Sequence, residues 1–590
     1  MYKIIINDNQ YTSWDILNTD TQNMSILNVN PFLDKLFNND TFYIVDDQVK
    51  ISTSPVRHSM SLPCVLILAG NKTYGRNAKG KMLYRCDPYD SSLPSFLVPY
   101  DIKNVGFSKV FDNLYVTIAF NEWTSKHPIG TLSCVIGEVS NLHHFYEYQL
   151  YCKDLNISMN RLNKDVASAI KNISSADNNA DGFMKLINTK YPNIENRTNH
   201  KNWKVYTIDP ENSTDLDDGF SINYVSKDIA LLSIYISNVS ILLDVLNIWD
   251  SCSRRVSTIY LPDKKRSMLP AMLSDHLASL LENTTRITFC MDTYIDINTN
   301  TIVDIKYKNA FINVYKNYHY EDKKLLKNTD YKEALQICKN LLEKGKYKYM
   351  DSINDSHDMV AYLMMLMNHQ SAQKMLGEKM GIFKNNINKQ NVKPPDNINS
   401  EVSKFVQIIS NSTGKYVNGV DIRDVSEVRH DMLGLDAYIQ ITSPIRRLVD
   451  LLNMIKIQEM IYPKMLSAKA SAFYSYWVSD LEYINKNMKS IRKVQNDTNL
   501  LELCSNSSEI LNKSYVGYIF EVDKKSKDMY RYSVYLPELK MSSYVSVPEE
   551  YQMYEQKSVR LFLFHNEAKF KRKIRLQFVS DKDDTNEMMK

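Results

Sequence analysis

Short apolar runs separated by turn-forming clusters dominate the first quarter of the chain. Between residues 61 and 155 they read Cys64-Val-Leu-Ile-Leu, Lys81-Met-Leu-Tyr, Phe96-Leu-Val-Pro-Tyr, Leu114-Tyr-Val-Thr-Ile-Ala-Phe and Leu132-Ser-Cys-Val-Ile-Gly. Runs of that length at that spacing predict a small β-barrel. Residues 1–60 are rich in Asn and Asp and hold shorter apolar pieces such as Thr41-Phe-Tyr-Ile-Val, which predicts a weakly specified β-rich cap. Residues 156–202 read as a helix followed by a polar connection. From 203 to 505 strands come first and long helical patterns later, Leu363-Met-Met-Leu-Met and the stretch after Ser443 among them. Residues 512–580 return to strands, with Tyr515-Val-Gly-Tyr-Ile-Phe and Val559-Arg-Leu-Phe-Leu-Phe, and predict a second barrel. Residues 581–590 form a charged tail that is expected to fray. The whole pattern is that of an α+β multidomain chain.

Composition narrows the classes. A length of 590 residues agrees with about four domains. The 72 basic and 68 acidic residues leave a net charge of +4, which argues against a polybasic tail protein, so nucleic-acid binding has to be argued from sites. No apolar run approaches the length of a membrane helix, and the opening Met-Tyr-Lys-Ile-Ile-Ile-Asn-Asp resembles neither a signal nor a transit peptide. The expected compartment is therefore intracellular, cytoplasmic first with the nucleus as the alternative, and no membrane partner is expected. Eight cysteines are scattered singly and read as buried reduced thiols. The 39 tyrosines offer many faces on which bases could stack.

The chemistry concentrates in two places. In Val205-Tyr-Thr-Ile-Asp209-Pro-Glu-Asn-Ser-Thr-Asp215-Leu-Asp217-Asp218-Gly219, a strand ends, a turn follows and another strand begins. Four carboxylates are brought to one end of a strand pair, where they repel one another unless a divalent cation joins them. All-oxygen ligands favour Mg²⁺ or Mn²⁺. The plainer alternative is a solvated turn whose carboxylates cap backbone amides. The second place is Thr442-Ser443-Pro444-Ile445-Arg446-Arg447-Leu448-Val449-Asp450. Ser443 reads as an N-cap and Pro444 as the first helical residue. Ile445, Leu448, Val449 and Leu452 form the expected buried face, leaving Arg446, Asp450 and Asn453 on the other. Two arginines near a helix start suit a phosphate, and an intrahelical Arg446–Asp450 ion pair is the alternative.

Together these segments resemble the ribonuclease II (RNB) family of 3′-to-5′ exoribonucleases. Asp209, Asp215, Asp217 and Asp218 match its Asp-x5-Asp-x-Asp-Asp pattern, and residues 442–446 its Thr-Ser-Pro-Ile-Arg segment. Ser257-Thr-Ile-Tyr260-Leu-Pro-Asp, Met268-Leu-Pro and Leu273-Ser-Asp-His-Leu-Ala-Ser-Leu280 match in order between them. The resemblance implies a central RNB catalytic domain at 203–505 flanked by OB-fold β-barrels. A cold-shock-like barrel would occupy 61–155, a diverged or partial cold-shock-like region 1–60, a linker 156–202 and an S1-like barrel 512–580. It implies Mg²⁺, with Mn²⁺ as a substitute, on Asp209, Asp215, Asp217 and Asp218. It makes Asp217, Asp218 and Arg446 catalytic, with Asp217 the most critical, and gives Tyr260, Tyr320, Arg446 and Arg447 contacts to single-stranded RNA. Membership of an RNA-decay complex stays open. Residues 511–580 carry 13 basic and 8 acidic residues, with Lys569, Lys571, Arg572, Lys573 and Arg575 clustered at the end, a charge of +5 that suits an RNA-facing barrel.

The chain departs from the family at several points. Ala361 and Tyr362 stand ahead of Asn368 where relatives carry acidic residues, Met454 stands where His is usual, and Gly219 where Ala is common. One decoy, Gly75-Arg-Asn-Ala-Lys-Gly80-Lys81, imitates a phosphate-binding loop but has Met82 where Ser or Thr is needed, so it reads as a basic loop on the barrel. The leading expectation is a Mg²⁺-dependent hydrolytic exoribonuclease releasing nucleoside 5′-monophosphates. The rivals are a catalytically weak or inactive RNB-fold RNA-binding protein, and an endonuclease or DNA nuclease using the same metal chemistry.

Overall fold

The computed structural model describes residues 1–102, 111–174, 180–345, 349–387, 414–526, 529–539, 541–566 and 571–579. The 581–590 tail and Lys569 lie outside the described residues, as does the side chain of Lys571. The chain opens on a four-stranded antiparallel sheet in the order Trp14–Asn18, Tyr2–Ile6, Thr41–Val45, Gln48–Thr53. Its buried Ile4, Ile6, Ile16 and Phe42 share one core with Cys64, Leu66, Phe96, Val116 and Ile118 of the next unit. The cap is therefore welded to the barrel through apolar side chains, which is why so few apolar residues suffice to order it.

That barrel is closed, in the strand order Leu62–Leu66, Leu83–Pro88, Phe96–Pro99, Ile129–Glu138, Leu114–Glu122 and back to the first. A five-stranded barrel with its fifth strand between the third and fourth is the Greek-key arrangement of OB folds. The Gly75–Lys81 segment is a hairpin turn on this barrel. Asn77 Oδ1 accepts the Lys79 and Lys81 amides at 3.1 and 2.9 Å, so no helix N-terminus is left to cradle a phosphate. All eight thiols are free, and Cys64, Cys86, Cys290, Cys338 and Cys504 are buried as expected. Cys134 is instead exposed on the outer face of its strand, and Cys152 and Cys252 are half-buried.

The central sheet runs Glu195–Arg197, Thr301–His319, Val205–Asp209, Asp218–Tyr224, Ile229–Ser237, Thr285–Asp296. The long Thr301–His319 strand also pairs with Thr285–Asp296, so the pairings return on themselves. Helices Thr329–Lys344, Ser356–Gly377 and Leu448–Ile461 cover it, burying Phe220, Ile234, Phe289, Leu363 and Met454 in a common core. Inside lies an ion pair with neither side chain exposed. Arg197 donates to Asp292 through Nη1 and Nη2 at 2.8 and 2.6 Å, Ser233 Oγ adds a 2.7 Å bond to the same carboxylate, and Trp203 stacks 4.2 Å from the guanidinium. This pair ties three strands together. Asp292→Ala leaves Arg197 buried without its main counter-charge and is expected to cost about 3–5 kcal/mol, read as an earlier denaturation midpoint by circular dichroism.

The last unit is a five-stranded antiparallel sheet in the order Met541–Val547, Met529–Leu536, Ser514–Ser526, Gln556–Asn566, Lys571–Phe578. Its two outer strands come together, again the OB arrangement. Between this unit, helix Leu142–Cys152 and helix Leu481–Asn506 lies a cleft of about 990 Å³. Lys153, Lys493, Arg531, Arg572, Lys573 and Arg575 line it, against Asp497 alone among acidic residues. Among the described residues no helix is long and apolar enough to cross a membrane.

Candidate active site

The acidic cluster stands where strand Val205–Asp209 ends and strand Asp218–Tyr224 begins. The intervening loop is pinned from outside. Ser279 Oγ accepts the Leu216 amide at 3.1 Å, the Leu280 amide donates to the Leu216 carbonyl at 3.0 Å, and the Ser237 amide donates to the Asp217 carbonyl at 2.8 Å. Gly219, the second residue of that strand, packs closely against its neighbour: an added Cβ would lie 3.2 Å from Val205 Cγ1 and 3.4 Å from the Tyr206 carbonyl oxygen. The absence of the Ala usual at this position is thereby compatible with close backbone packing.

Asp217 is 2% exposed. Its Oδ1 accepts the Ile445 amide at 2.9 Å and its Oδ2 accepts Arg446 Nε at 3.1 Å. Burial pushes its carboxyl up to about 7 even though Arg446 and the Ile445 amide pull the other way. Burial also raises Asp209 to about 6, against Thr207 and Arg446. Asp218 is driven well above the ordinary carboxylate range by burial and by the charges of Asp209 and Asp217. Asp209 Oδ2 and Asp218 Oδ2 are buried with no hydrogen-bond partner. Asp215 differs: Tyr260 donates to its Oδ2 at 2.8 Å and Lys265 Nζ to its Oδ1 at 3.1 Å.

The expected set of four metal aspartates is thus not assembled as one cage. Among the described residues no group of three or more His, Cys, Asp or Glu side chains converges to hold a metal. The physical reason lies in local pairing: Asp215 is neutralised by Lys265 and Asp217 by Arg446, which leaves Asp209 and Asp218 as the pair with unsatisfied buried oxygens. Unpaired oxygens of this kind are what a hard divalent cation satisfies.

The helix expected to start at Ser443 starts at Leu448, with Arg447 as its cap residue. Residues 444–447 are a turn held by distant partners. The Thr258 amide and Ser257 Oγ both bond the Arg446 carbonyl at 2.9 Å, and the Leu448 amide bonds the Val256 carbonyl at 2.9 Å. The Ile445 amide is consequently free to hold Asp217. Asp450 and Asn453, expected on an outer face, are fully buried. Asp450 Oδ1 accepts the Ser443 amide at 2.8 Å and Arg447 Nη2 at 2.9 Å, so the ion pair on this segment is Arg447–Asp450 and not Arg446–Asp450. Asn453 bridges the Ile382 amide and the Ile382 and Gln440 carbonyls. Ser443 Oγ accepts from both Arg446 Nη2 and Arg447 Nη2, at 3.0 and 3.1 Å. Arg446 therefore stands at the aspartates with its side chain 40% exposed, whereas Arg447 is committed to a buried carboxylate.

Tyr260, half-exposed, joins the site through Asp215. Tyr320 lies close enough to Asp218 and Asp209 that burial and their charges push its hydroxyl up to about 12. One face of its ring is already covered by His357, with centroids 3.8 Å and planes 9° apart, so that face is not available to a base. Ala361 is exposed and Tyr362 is packed edge-on against Tyr349 in the core. Met454 is a fully buried core residue. Sequence reasoning missed Lys265, His357 and the Ile445 amide. Lys265 stood in the gap between the matched pieces ending at Asp263 and starting at Met268; the other two roles depend on contacts between distant parts of the chain.

Residues 197–345 match the RNB domain. Ribonuclease R of Mycoplasmopsis pulmonis is 34% identical over 109 residues, 18% of this chain and 15% of that protein. The alignments to this relative and to DIS3-like exonuclease 2 of Schizosaccharomyces pombe span only 15% and 20% of those proteins' lengths. In fold, the chain is similar over 98% of its length to all of Mycoplasma genitalium RNase R, solved in complex with ribose methylated single-stranded RNA, at a TM-score of 0.67 and 14% identity. It is similar over 84% of its length to 66% of yeast Ssd1, described as a pseudonuclease, at a TM-score of 0.57 and 14% identity. The chain thus carries a match to the RNB domain at residues 197–345, set between OB-type barrels in a fold similar to that of RNase R.

Proposed function

We propose that the chain is a divalent-cation-dependent hydrolytic exoribonuclease that shortens single-stranded RNA from its 3′ end and releases nucleoside 5′-monophosphates. The observation that carries this reading is the pairing of Asp217 with the Ile445 amide and Arg446 beside two carboxylates whose buried oxygens have no protein partner. Asp209 and Asp218 would hold Mg²⁺ or Mn²⁺, which when bound supplies Lewis-acid charge and an activated water. Asp217 fixes the guanidinium of Arg446. Arg446, with five N–H donors and only two engaged as described, retains donors for a phosphate. Tyr260 offers a half-exposed ring beside it. Positioning and electrostatics carry the reaction, and no protein nucleophile is required.

The basic cleft suits a phosphate backbone, and the exposed rings of Tyr544 and Phe562 in its wall suit bases of any sequence, with Arg531 3.9 Å over Tyr544. Replacing Lys573 and Arg575 together by Gln is expected to weaken RNA binding across all sequences. It should also lower the slope of log Kd against log salt by about 1.4, measured by fluorescence anisotropy. The exonuclease reading itself is tested by offering linear and circular RNA of one sequence with Mg²⁺. Linear RNA is expected to shorten while the circle stays intact; a cut circle contradicts the reading in favour of an endonuclease.

The second reading, an RNB-fold protein that binds RNA without cutting it, is favoured by the lack of an acidic side chain at Ala361 and Tyr362. The unpartnered oxygens of Asp209 and Asp218 speak for the first.

A further inference from the structure

Lys265 lies on the two-residue strand Lys265–Arg266, paired with Ile259–Tyr260. An ammonium has three N–H donors, and here each has a protein acceptor: Asp215 Oδ1 at 3.1 Å, Asp275 Oδ1 at 2.9 Å and Thr214 Oγ1. A lysine so saturated has no donor left for an RNA phosphate. Its charge is instead shared between Asp275 and Asp215, whose second oxygen is taken by Tyr260. Of the four clustered aspartates, Asp215 is thus satisfied on both oxygens, while Asp209 and Asp218 each keep a buried oxygen without a partner. Carboxylate clusters that act on phosphodiesters can hold two divalent ions, one for the attacking and one for the leaving oxygen. A second ion using Asp215 would have to displace an ammonium anchored on three sides.

On the cation-dependent reading above, the geometry assigns Lys265 the place of a second metal ion: it is a built-in cation that withholds Asp215 and limits the site to one divalent ion on Asp209 and Asp218. Lys265 is a positioning residue in this scheme, acting through Asp215 and touching no reacting atom.

The test counts ions on the RNA-free full chain, titrating Mn²⁺ and reading the free ion by electron paramagnetic resonance. The wild type is expected to bind one Mn²⁺ per chain. Lys265→Met, which keeps the length of the side chain and removes its charge, is expected to bind two. Lys265→Arg is expected to return to one. Two ions on the wild type, or one on Lys265→Met with unchanged affinity, overturns the assignment and leaves the exonuclease reading standing. A wild type that binds none contradicts the cation-dependent reading itself, and the Lys265 assignment with it. Where a thermal melt shows that Lys265→Met does not fold, Lys265→Gln replaces it with the same expected count of two.

Discussion

Replacing Asp217 by Asn is expected to slow RNA shortening about 10³-fold while leaving RNA affinity within a few-fold of wild type. Asn keeps the volume of the buried Asp217 and can still accept the Ile445 amide on its oxygen. Its amide nitrogen, however, then meets Arg446 Nε donor to donor, 3.1 Å away in the native pairing. The guanidinium loses the carboxylate that orients it and the site loses one negative charge. On the proposed reading the loss falls on kcat, because Asp217 orients Arg446, whereas the basic cleft would carry much of the binding. Single-turnover kinetics beside anisotropy binding separates the two. A variant that loses affinity in proportion to rate would point to a collapsed site.

Arg446→Met is the second large effect. It removes the phosphate-facing cation of the aspartate cluster and strips Asp217 Oδ2 of its partner. Rate is expected to fall about 10²–10³-fold and affinity for short RNA about tenfold, the equivalent of one charge-assisted bond. Arg446→Lys should recover affinity better than rate, because an ammonium restores the charge without the planar fork that spans Asp217 and Ser443. Equal recovery of both would contradict a positioning role for Asp217.

The barrels were legible because their strands are written in the local alphabet of short apolar runs. Leu114-Tyr-Val-Thr-Ile-Ala-Phe lies on the strand Leu114–Glu122, and Tyr515-Val-Gly-Tyr-Ile-Phe on Ser514–Ser526. The end of one strand at Asp209 was legible for the same reason, while the next strand, expected near Phe220, starts two residues earlier at Asp218. The Arg446 segment was not. Ser443 and Pro444 carry the local signals of a helix start, but the helix begins at Leu448 because longer-range bonds claim those backbone groups first. The Ile445 amide goes to Asp217, 228 residues away in sequence, and the Arg446 carbonyl to Ser257 and Thr258. Asp450 and Asn453 are buried because their side chains hold backbone outside the helix, Asp450 the Ser443 amide and Asn453 the Ile382 amide and the Gln440 carbonyl. The four aspartates read as equals in sequence. Only the fold distinguishes them, by setting Lys265 and Tyr260 on Asp215 and Arg446 on Asp217.

The most direct measurement is the fate of 5′-labelled single-stranded RNA incubated with the wild-type protein in Mg²⁺ and in chelator, with the Asp217→Asn variant alongside. The account predicts a ladder that shortens progressively from the 3′ end, mononucleotide 5′-monophosphates as product, no shortening in chelator, and shortening about 10³-fold slower with the variant. Tight binding of RNA that remains full length in Mg²⁺ would contradict it.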